Sequence, residues 1–341
     1  MTNEYKLSDS EASLLLVNLL CSKLFLLTSG DFVSVSGSGA LISVSLVFSA
    51  SFLFFYIYTK KSVCQDILHC INSTPVKKIF GIVSSFLLIF SGSASLNLTA
   101  YFSKVTAFTA SPLSFLTIPF AVCMIFAASS GLKCIAKLNG FFTPVLYAAL
   151  IILICFSYNS FDFTNLTPVF GKGFVSVFGN GFFLLSNLFE FLILLYLPKN
   201  LKGSFKKVGF CSLLISFIIY LVAVSAFLLI GGKSPDLPLL SVIQSGHFRR
   251  TDSAFLLLFA LARMLYLSTV LYFSVRIFCE SLNITKKNLL VVPFALILIS
   301  FSGISFFNSG GQMLLSFFSK WLWAIPFLIP IILTVIKEKH R

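Results

Sequence analysis

The sequence predicts an all-α polytopic membrane protein, because it is very apolar and its apolar residues form ten long segments. The chain has 341 residues, of which 57% are hydrophobic and 11% are charged, and 42 of them are Phe. A soluble protein of this length cannot bury so much apolar surface. The connections between the apolar segments are too short for a soluble domain. We therefore expect a single integral membrane domain over residues 1–341, embedded in the lipid bilayer.

Each apolar segment is long enough to cross a bilayer as one helix. The first follows an acidic stretch, MTNEYKLSDSEAS, which lacks the positive start of a cleaved signal, so we expect a retained span. Proline lies inside the fourth, fifth and tenth segments and predicts bends there. Between the seventh and eighth segments, PLLSVIQ predicts a short helix in the membrane interface. The ten predicted spans are 12–29, 37–58, 77–101, 112–129, 136–157, 174–198, 207–230, 253–276, 289–307 and 312–336.

The basic residues predict the orientation of these spans. The formal net charge is +14, yet the Lys and Arg residues lie in short loops rather than on one basic surface, so we expect no nucleic-acid partner. If the N-terminus is inside, 17 Lys and Arg residues lie on the inner side and 5 on the outer side. This bias predicts that both termini are cytoplasmic.

The sixth predicted span carries the polar residues that matter most for function. Ser186 and Asn187 lie halfway along it, and Glu190 is the only acid well inside a predicted span. A carboxylate in hydrocarbon is costly and normally faces a partner or a wet cavity. Glu190 is therefore either part of a binding site or a polar contact that joins two helices.

Two cations lie at similar depths in other spans. Lys23 is roughly 16 Å from the inner end of span 1, Glu190 roughly 12 Å from the inner face, and Arg263 roughly 15 Å from the outer face. The three side chains can meet if spans 1, 6 and 8 are neighbours. Two cations and one anion leave a positive surplus, which favours a ligand carboxylate.

Spans 1 and 6 occupy corresponding positions if the chain consists of two five-span halves, about 12–157 and 174–336. Paired polar interruptions in corresponding spans are typical of a transporter substrate site. Many Ser and Asn residues occur elsewhere in the spans, so the ionisable residues carry more weight than the hydroxyls. The candidate substrate-binding residues are Asn18, Ser22, Lys23, Ser186, Asn187, Glu190 and Arg263.

The sequence contains no pattern that predicts catalysis or a cofactor. The eight Cys residues form no C-x-x-C pair, and the three His residues, His69, His247 and His340, lie in loops or at the tail. We expect no enzyme activity, no metal and no cofactor.

Several segments resemble the spore germination permease family, the B subunits of nutrient germinant receptors, within the amino acid/polyamine/organocation transporter superfamily. The segment GLKCIAK at 131–137 is similar to the family's G-L-E-x-I-A-R. Four other segments also occur in the family's order along the chain. They are Val17-Asn18, Asn165 to Pro168, Phe189-Glu190 with Pro198, and Arg250-Thr251-Asp252. The sequence departs from the family at Lys133 and Lys137, and Ser22-Lys23-Leu24 stands where the family usually has Gly-x-Gly.

The resemblance implies a fold of ten helices in a 5+5 inverted repeat, with discontinuous helices 1 and 6 around a central site. It implies sensing of a small-molecule germinant, usually an amino acid, in the spore inner membrane, together with A and C receptor subunits. Without the glycines, Lys23 either contacts the ligand or blocks the site. Two other functions stay open, an ion-coupled secondary amino acid transporter and a non-binding scaffold or channel component.

Overall fold

The computed structural model describes residues 6–26, 28–61, 74–231, 238–245, 251–284, 287–303 and 320–339. These residues form helices joined by turns and irregular loops, with one isolated bridge. The regular helices are α1 (Asp9–Cys21), α2 (Thr28–Ser36), α3 (Ala40–Lys61), α4 (Thr74–Thr106), α5 (Leu113–Ser130) and α6 (Leu132–Cys155). An irregular helix, α7 (Ser176–Tyr196), follows, and then α8 (Phe205–Leu229), α9 (Pro238–Gln244), α10 (Thr251–Leu282), α11 (Val291–Gly303) and α12 (Ala324–Lys339).

The helices are those of a membrane protein. Within the described residues, seven are long and apolar enough to cross a membrane, and a shorter apolar helix covers Asn288–Gly303. Predicted spans 2 to 8 each coincide with one helix, although α4 and α10 run beyond the predicted ends. The predicted end of span 9 and start of span 10 fall in 304–319, outside the described residues, as do the three histidines. The prediction of an all-helical membrane protein is confirmed.

The first predicted span is not one continuous helix. A reciprocal capping box between Ser8 and Glu11 starts α1, which gives way at Cys21 to a 3₁₀ turn, Ser22–Phe25. Leu26 then departs from helical geometry, with φ −98° and ψ −116°. The chain resumes as α2, and the Thr28 hydroxyl donates to the Lys23 carbonyl at 3.0 Å. Helix α2 extends well beyond residue 29, the predicted end of span 1. It ends before Gly37, whose φ of 61° is a conformation that favours glycine.

The sixth predicted span is also irregular. It begins as a π-helix at Ser176–Asn180, passes through three α-helical residues and continues as a 3₁₀ helix from Leu184 to Tyr196. Long 3₁₀ runs are uncommon because their hydrogen bonds are poorer than those of an α-helix. Inside this run Leu188 is non-helical, with φ −95° and ψ 17°. The backbone is therefore interrupted two residues before Glu190.

These two interrupted segments lie at the centre of the fold. Helix α1 packs against α6, α8, α10 and the 3₁₀ part of α7. The longest helices, α4 and α10, pack closely along each other, and a Cβ added at Gly81 would lie 1.6 Å from the Ser281 hydroxyl. Small residues allow such close approach between membrane helices. Helices α5 and α11 pack against this pair, whereas α3 packs against α8 and α12.

Both ends of the central helices are covered. On the side where α2 begins, α9 packs against the Ser22–Phe25 turn and buries Leu239, Leu240, Val242 and Ile243. The predicted PLLSVIQ helix is thus confirmed, but its apolar side chains are buried against other helices. At the other end Leu7 forms a bridge with Leu201, with hydrogen bonds from Leu7 N to Asn200 O at 2.6 Å and from Lys202 N to Leu7 O at 2.9 Å.

Arg276, the last residue of predicted span 8, lies beside this bridge. Helix α10 continues past it, and the side chain is buried, donating to Asn200 Oδ1 and, at 2.8 Å, to Glu280 Oε1. The guanidinium thereby joins the end of α10 to the segment that follows α7. A buried Arg at a helix end is stable when its N–H groups find acceptors of this kind.

Candidate functional site

An ion pair joins the two interrupted helices. Lys23 lies in the 3₁₀ turn after α1, and its Nζ is 2.7 Å from Glu190 Oε2 in α7. The Glu190 side chain is fully buried, whereas the Lys23 side chain is 18% exposed. The Lys23 ammonium is also 3.5 Å from the backbone carbonyl of Asn187, at the interruption of α7. The structure therefore brings together two of the predicted site residues from distant parts of the sequence.

The second oxygen of Glu190 has two hydroxyl partners. Ser91 on α4 and Tyr266 on α10 each donate to Oε1 at 2.7 Å, and the two hydroxyls are 3.2 Å apart. Hydrogen bonds to an ionised acceptor are roughly twice as strong as those between neutral groups. Glu190 thus connects four helical segments, because the Lys23 turn, α4, α7 and α10 all meet at its carboxylate.

Arg263 lies one turn before Tyr266 on α10 and is fully buried. Its Nε donates to the Thr99 hydroxyl at 3.1 Å, one terminal nitrogen donates to Ser22 at 3.4 Å, and the other donates to Ser95. The guanidinium carbon lies 4.5 Å from the centre of the Tyr266 ring. All these partners are neutral, and no described carboxylate forms a salt bridge with Arg263. The direct partners of the arginine are therefore hydroxyls and a ring face, and Glu190 acts on its charge only without direct contact.

Asn187 and Ser186 lie just before the interruption of α7 and are both partly buried. The Nδ2 of Asn187 is buried and has no hydrogen-bond partner among the described residues. The Ser186 side chain makes no hydrogen bond within the described part of the chain. A buried amide donor without an acceptor is costly in a native protein, and a ligand acceptor would remove that cost.

The remaining predicted residue, Asn18, lies in a second polar cluster one turn before Ser22. Its Nδ2 donates to Asn139 Oδ1 at 3.0 Å, and Tyr147 donates to its Oδ1 at 3.5 Å. Asn139 also donates to the Ile135 carbonyl at 2.9 Å and to Thr269 at 3.5 Å. These side chains are buried and join α1, α6 and α10. Ser22, by contrast, contacts Arg263 in the charged cluster.

Sequence reasoning missed the residues that surround the ion pair. Ser91, Ser95 and Thr99 repeat at intervals of four and form a polar stripe on one face of α4. Tyr266 follows Arg263 by three residues and shares its face of α10. Tyr266 could therefore have been found in the sequence by looking three residues along the helix from Arg263, the charged residue inside span 8. Among so many hydroxyl residues, no single Ser or Thr was conspicuous.

The cluster brings charged and polar side chains together at two interrupted helices. It combines an ion pair, a buried guanidinium and an unpaired amide donor, and it lies between α9 on one side and the Leu7–Leu201 bridge on the other. Polar groups at interrupted membrane helices line substrate sites in many transporters. Such groups bind and orient a ligand without forming or breaking covalent bonds.

Comparisons with known proteins agree with this description. The family model described as "Spore germination protein" matches residues 6–307. The chain is 25% identical over 232 residues to "Spore germination protein A2" of Bacillus subtilis (strain 168). This alignment covers 63% of the chain and 64% of that relative, so it spans less than two thirds of the relative's length.

Solved structures of transporters share the fold. A structure of Mhp1, a nucleobase-cation-symport-1 family transporter, in a closed conformation with bromovinylhydantoin bound, has a TM-score of 0.70 at 10% identity over 99% of this chain and 93% of Mhp1. The structure of MhsT in complex with L-phenylalanine has a TM-score of 0.69 at 14% identity over 98% of this chain and 89% of MhsT. Family and fold are therefore those of permeases and transporters rather than of enzymes.

Proposed function

The chain belongs to the spore germination protein family, and we propose that it is the membrane subunit of a spore nutrient germinant receptor. It binds a small nutrient, such as an amino acid, in a site formed by four helices. These are the interrupted α1 and α7 together with α4 and α10. Ligand binding shifts an equilibrium between two arrangements of the helices and so triggers germination. The candidate ligand contacts are the predicted residues around the interruptions, above all Lys23, Asn187, Glu190 and Arg263.

One observation carries this proposal, namely the polar cluster at the point where α1 and α7 are interrupted. The cluster holds a buried carboxylate with a partly exposed ammonium partner, and a buried guanidinium without a carboxylate. A cluster that served only to join helices would gain nothing from the free Asn187 amide or from the irregular backbone. A ligand with a carboxylate would satisfy the amide donor and balance the guanidinium charge.

The proposal includes an architecture and a cellular setting. We propose ten membrane helices in a 5+5 inverted repeat, with halves of about 12–157 and 174–336 and with discontinuous first and sixth helices. Both termini face the cytoplasm, because the inner loops hold 17 of the Lys and Arg residues and the outer loops 5. The membrane is the spore inner membrane, where the chain assembles with receptor A and C subunits.

A germination assay tests the proposal. Spores in which Glu190→Gln or Lys23→Met replaces the wild-type chain should need at least about tenfold more nutrient to germinate, since each substitution removes one partner of the ion pair. The exposed Lys206 provides the control, because Lys206→Ala removes a lysine at the start of α8 that is not part of the ion pair. Normal germination of both variants on every nutrient tested would show that the site is wrong.

The fold also supports a second candidate function, an ion-coupled secondary amino acid transporter. The observation in its favour is the similarity to transporter structures, which shows a shared fold but no shared activity. Vesicles that contain this chain alone would accumulate labelled amino acid against a gradient if it transports. Under the receptor proposal they show no accumulation above empty vesicles.

A third possibility, a scaffold or channel component that binds no ligand, assigns the ion pair a purely structural role. It predicts that no nutrient changes the melting temperature of the purified chain. Ligand binding instead stabilises the folded state by mass action, so a nutrient at a hundred times its Kd should stabilise the protein by about 2.7 kcal/mol.

A further inference from the structure

We infer that Lys23 supplies to Glu190, from within the chain, the ammonium group that an amino-acid ligand would otherwise bring. The ligand is then a small carboxylate whose recognition does not depend on an amino group. This inference rests on the proposed ligand-binding function and specifies the class of molecule that the site accepts.

The first support is that the Glu190 side chain is fully buried and that each of its oxygens already faces a group of the protein. Oε1 accepts from Ser91 and Tyr266, and Oε2 faces the Lys23 ammonium at 2.7 Å. A ligand ammonium could reach this carboxylate only by displacing Lys23. The exchange would replace one ammonium by another of equal charge and would leave Lys23 without a carboxylate in direct contact, which is costly for a mostly buried ammonium.

The second support is the way in which the Lys23 ammonium is held. It is 2.7 Å from a carboxylate oxygen and 3.5 Å from the Asn187 carbonyl, at the point where α7 is interrupted. An ammonium has three donors, so a carboxylate together with a backbone carbonyl is a suitable receptor for a free amine. Here that receptor is occupied by a side chain of the protein, at the position where the family resemblance leads one to expect Gly-x-Gly.

The third support is the chemistry of the groups that remain. Arg263 forms no salt bridge with a described carboxylate, and Asn187 Nδ2 has no described acceptor. Both are donors, so together they favour an anionic acceptor group. Asp31 on α2 interacts electrostatically with Lys23, but it is partly exposed and adds no donor. The site therefore retains affinity for a carboxylate but not for an ammonium.

Three probes separate these chemistries in the purified full-length protein. Propionate carries a carboxylate alone, n-propylammonium an ammonium alone, and alanine both. We expect propionate and alanine to bind the wild-type chain within about threefold of each other, as measured by the shift in melting temperature with concentration. Alanine that binds about tenfold tighter than propionate would overturn the inference.

Variants of Lys23 provide a test that does not depend on knowing the nutrient. Lys23→Ala removes the three methylenes and the ammonium, which together have the size of n-propylammonium. n-Propylammonium should therefore raise the melting temperature of Lys23→Ala towards the wild-type value. In the same variant, alanine should bind at least about tenfold tighter than propionate, because its amino group can then reach Glu190. Lys23→Met fills the same space without charge, so n-propylammonium should leave it unchanged, as it should the exposed-site control Lys206→Ala.

The outcomes distinguish this inference from the proposed function. If n-propylammonium fails to stabilise Lys23→Ala, or stabilises Lys23→Met equally, Lys23 is not a substitute for a free ammonium and the inference is wrong. If the rescue works but neither propionate nor alanine binds the wild-type chain, the ligand class is wrong together with the proposed receptor site. If alanine requires its amino group in the wild-type chain, the receptor site stands and this inference fails.

Discussion

Two polar clusters share α10 and lie about one helical turn apart, one on α1 and the other at the Ser22–Phe25 turn that follows it. The amide cluster consists of Asn18, Asn139, Tyr147 and Thr269, and the charged cluster consists of Ser22, Lys23, Ser91, Ser95, Thr99, Glu190, Arg263 and Tyr266. Both are buried and both contain residues that the sequence nominated as ligand contacts. They differ in the backbone on which they are built.

The amide cluster rests on continuous helices, and the Asn18 and Asn139 side chains find hydrogen-bond partners within it. The charged cluster rests on two interrupted segments and includes a partly exposed ammonium next to an amide donor without a partner. A saturated network stabilises helix packing, whereas an unsaturated and accessible one can still bind a ligand. Polarity inside the membrane therefore does not by itself identify a site.

The largest expected effect comes from Glu190→Gln. The amide retains an oxygen for Ser91 and Tyr266 but presents N–H groups to the Lys23 ammonium, which loses its ion-pair partner. Removing one partner of a buried pair costs about 3–5 kcal/mol, and we expect that loss in the free energy of unfolding measured in detergent.

The double variant Lys23→Met/Glu190→Gln tests the cause of that loss. It removes both charges, so it should recover most of the unfolding free energy that Glu190→Gln loses. If the double variant is as unstable as the single one, the loss comes from altered packing around residue 190 rather than from an unpaired cation.

Tyr266→Phe should have an intermediate effect within the same cluster. It removes the donor to Glu190 Oε1 but keeps the ring that lies against the Arg263 guanidinium. Hydrogen bonds to charged groups contribute about 1.5–3 kcal/mol, and Ser91 still donates to the same oxygen, so we expect a loss near the lower limit. Chemical denaturation measures it, and a loss below about 0.5 kcal/mol would show that Ser91 alone suffices.

Asn18→Ala tests the other cluster. It removes two hydrogen bonds in a network between membrane helices, where each contributes about 0.6 kcal/mol. We expect a loss of about 1 kcal/mol in unfolding free energy and an unchanged ligand affinity. A tenfold weaker affinity with unchanged stability would instead support the sequence-based assignment of Asn18 as a ligand contact.

The sequence predicted the helices well because length and hydrophobicity suffice for that purpose. Apolar runs define predicted spans 2 to 8, and the helices found there match them. The interruption after Cys21 was harder to place, since Ser22-Lys23-Leu24 contains neither Gly nor Pro to mark it. Most of α2 likewise fell between predicted spans 1 and 2, since residues 30–36 contain several polar side chains and a glycine.

The charged cluster was predicted in part for a similar reason. Lys23, Glu190 and Arg263 are conspicuous because charge is rare in membrane spans, and depth alone suggested that they meet. Depth gives no information about rotation around each helix. Lys23 therefore reaches Glu190, whereas Arg263 faces Ser95 and Thr99 on α4. Which side chains face each other depends on helix packing, and helix packing depends on contacts that lie far apart in the sequence.

Tyr147→Phe should have the smallest effect, and it is the matched counterpart of Tyr266→Phe. Both variants remove one buried phenol hydroxyl, but Tyr147 donates at 3.5 Å to a neutral amide oxygen, whereas Tyr266 donates at 2.7 Å to a carboxylate. A long bond between neutral groups contributes less than about 0.5 kcal/mol. We expect the Tyr266→Phe loss in unfolding free energy to be at least about twice the Tyr147→Phe loss, because charge strengthens the shorter bond. Equal losses would mean that the ion pair adds nothing to the hydroxyls around it, and the distinction between the two clusters would fail.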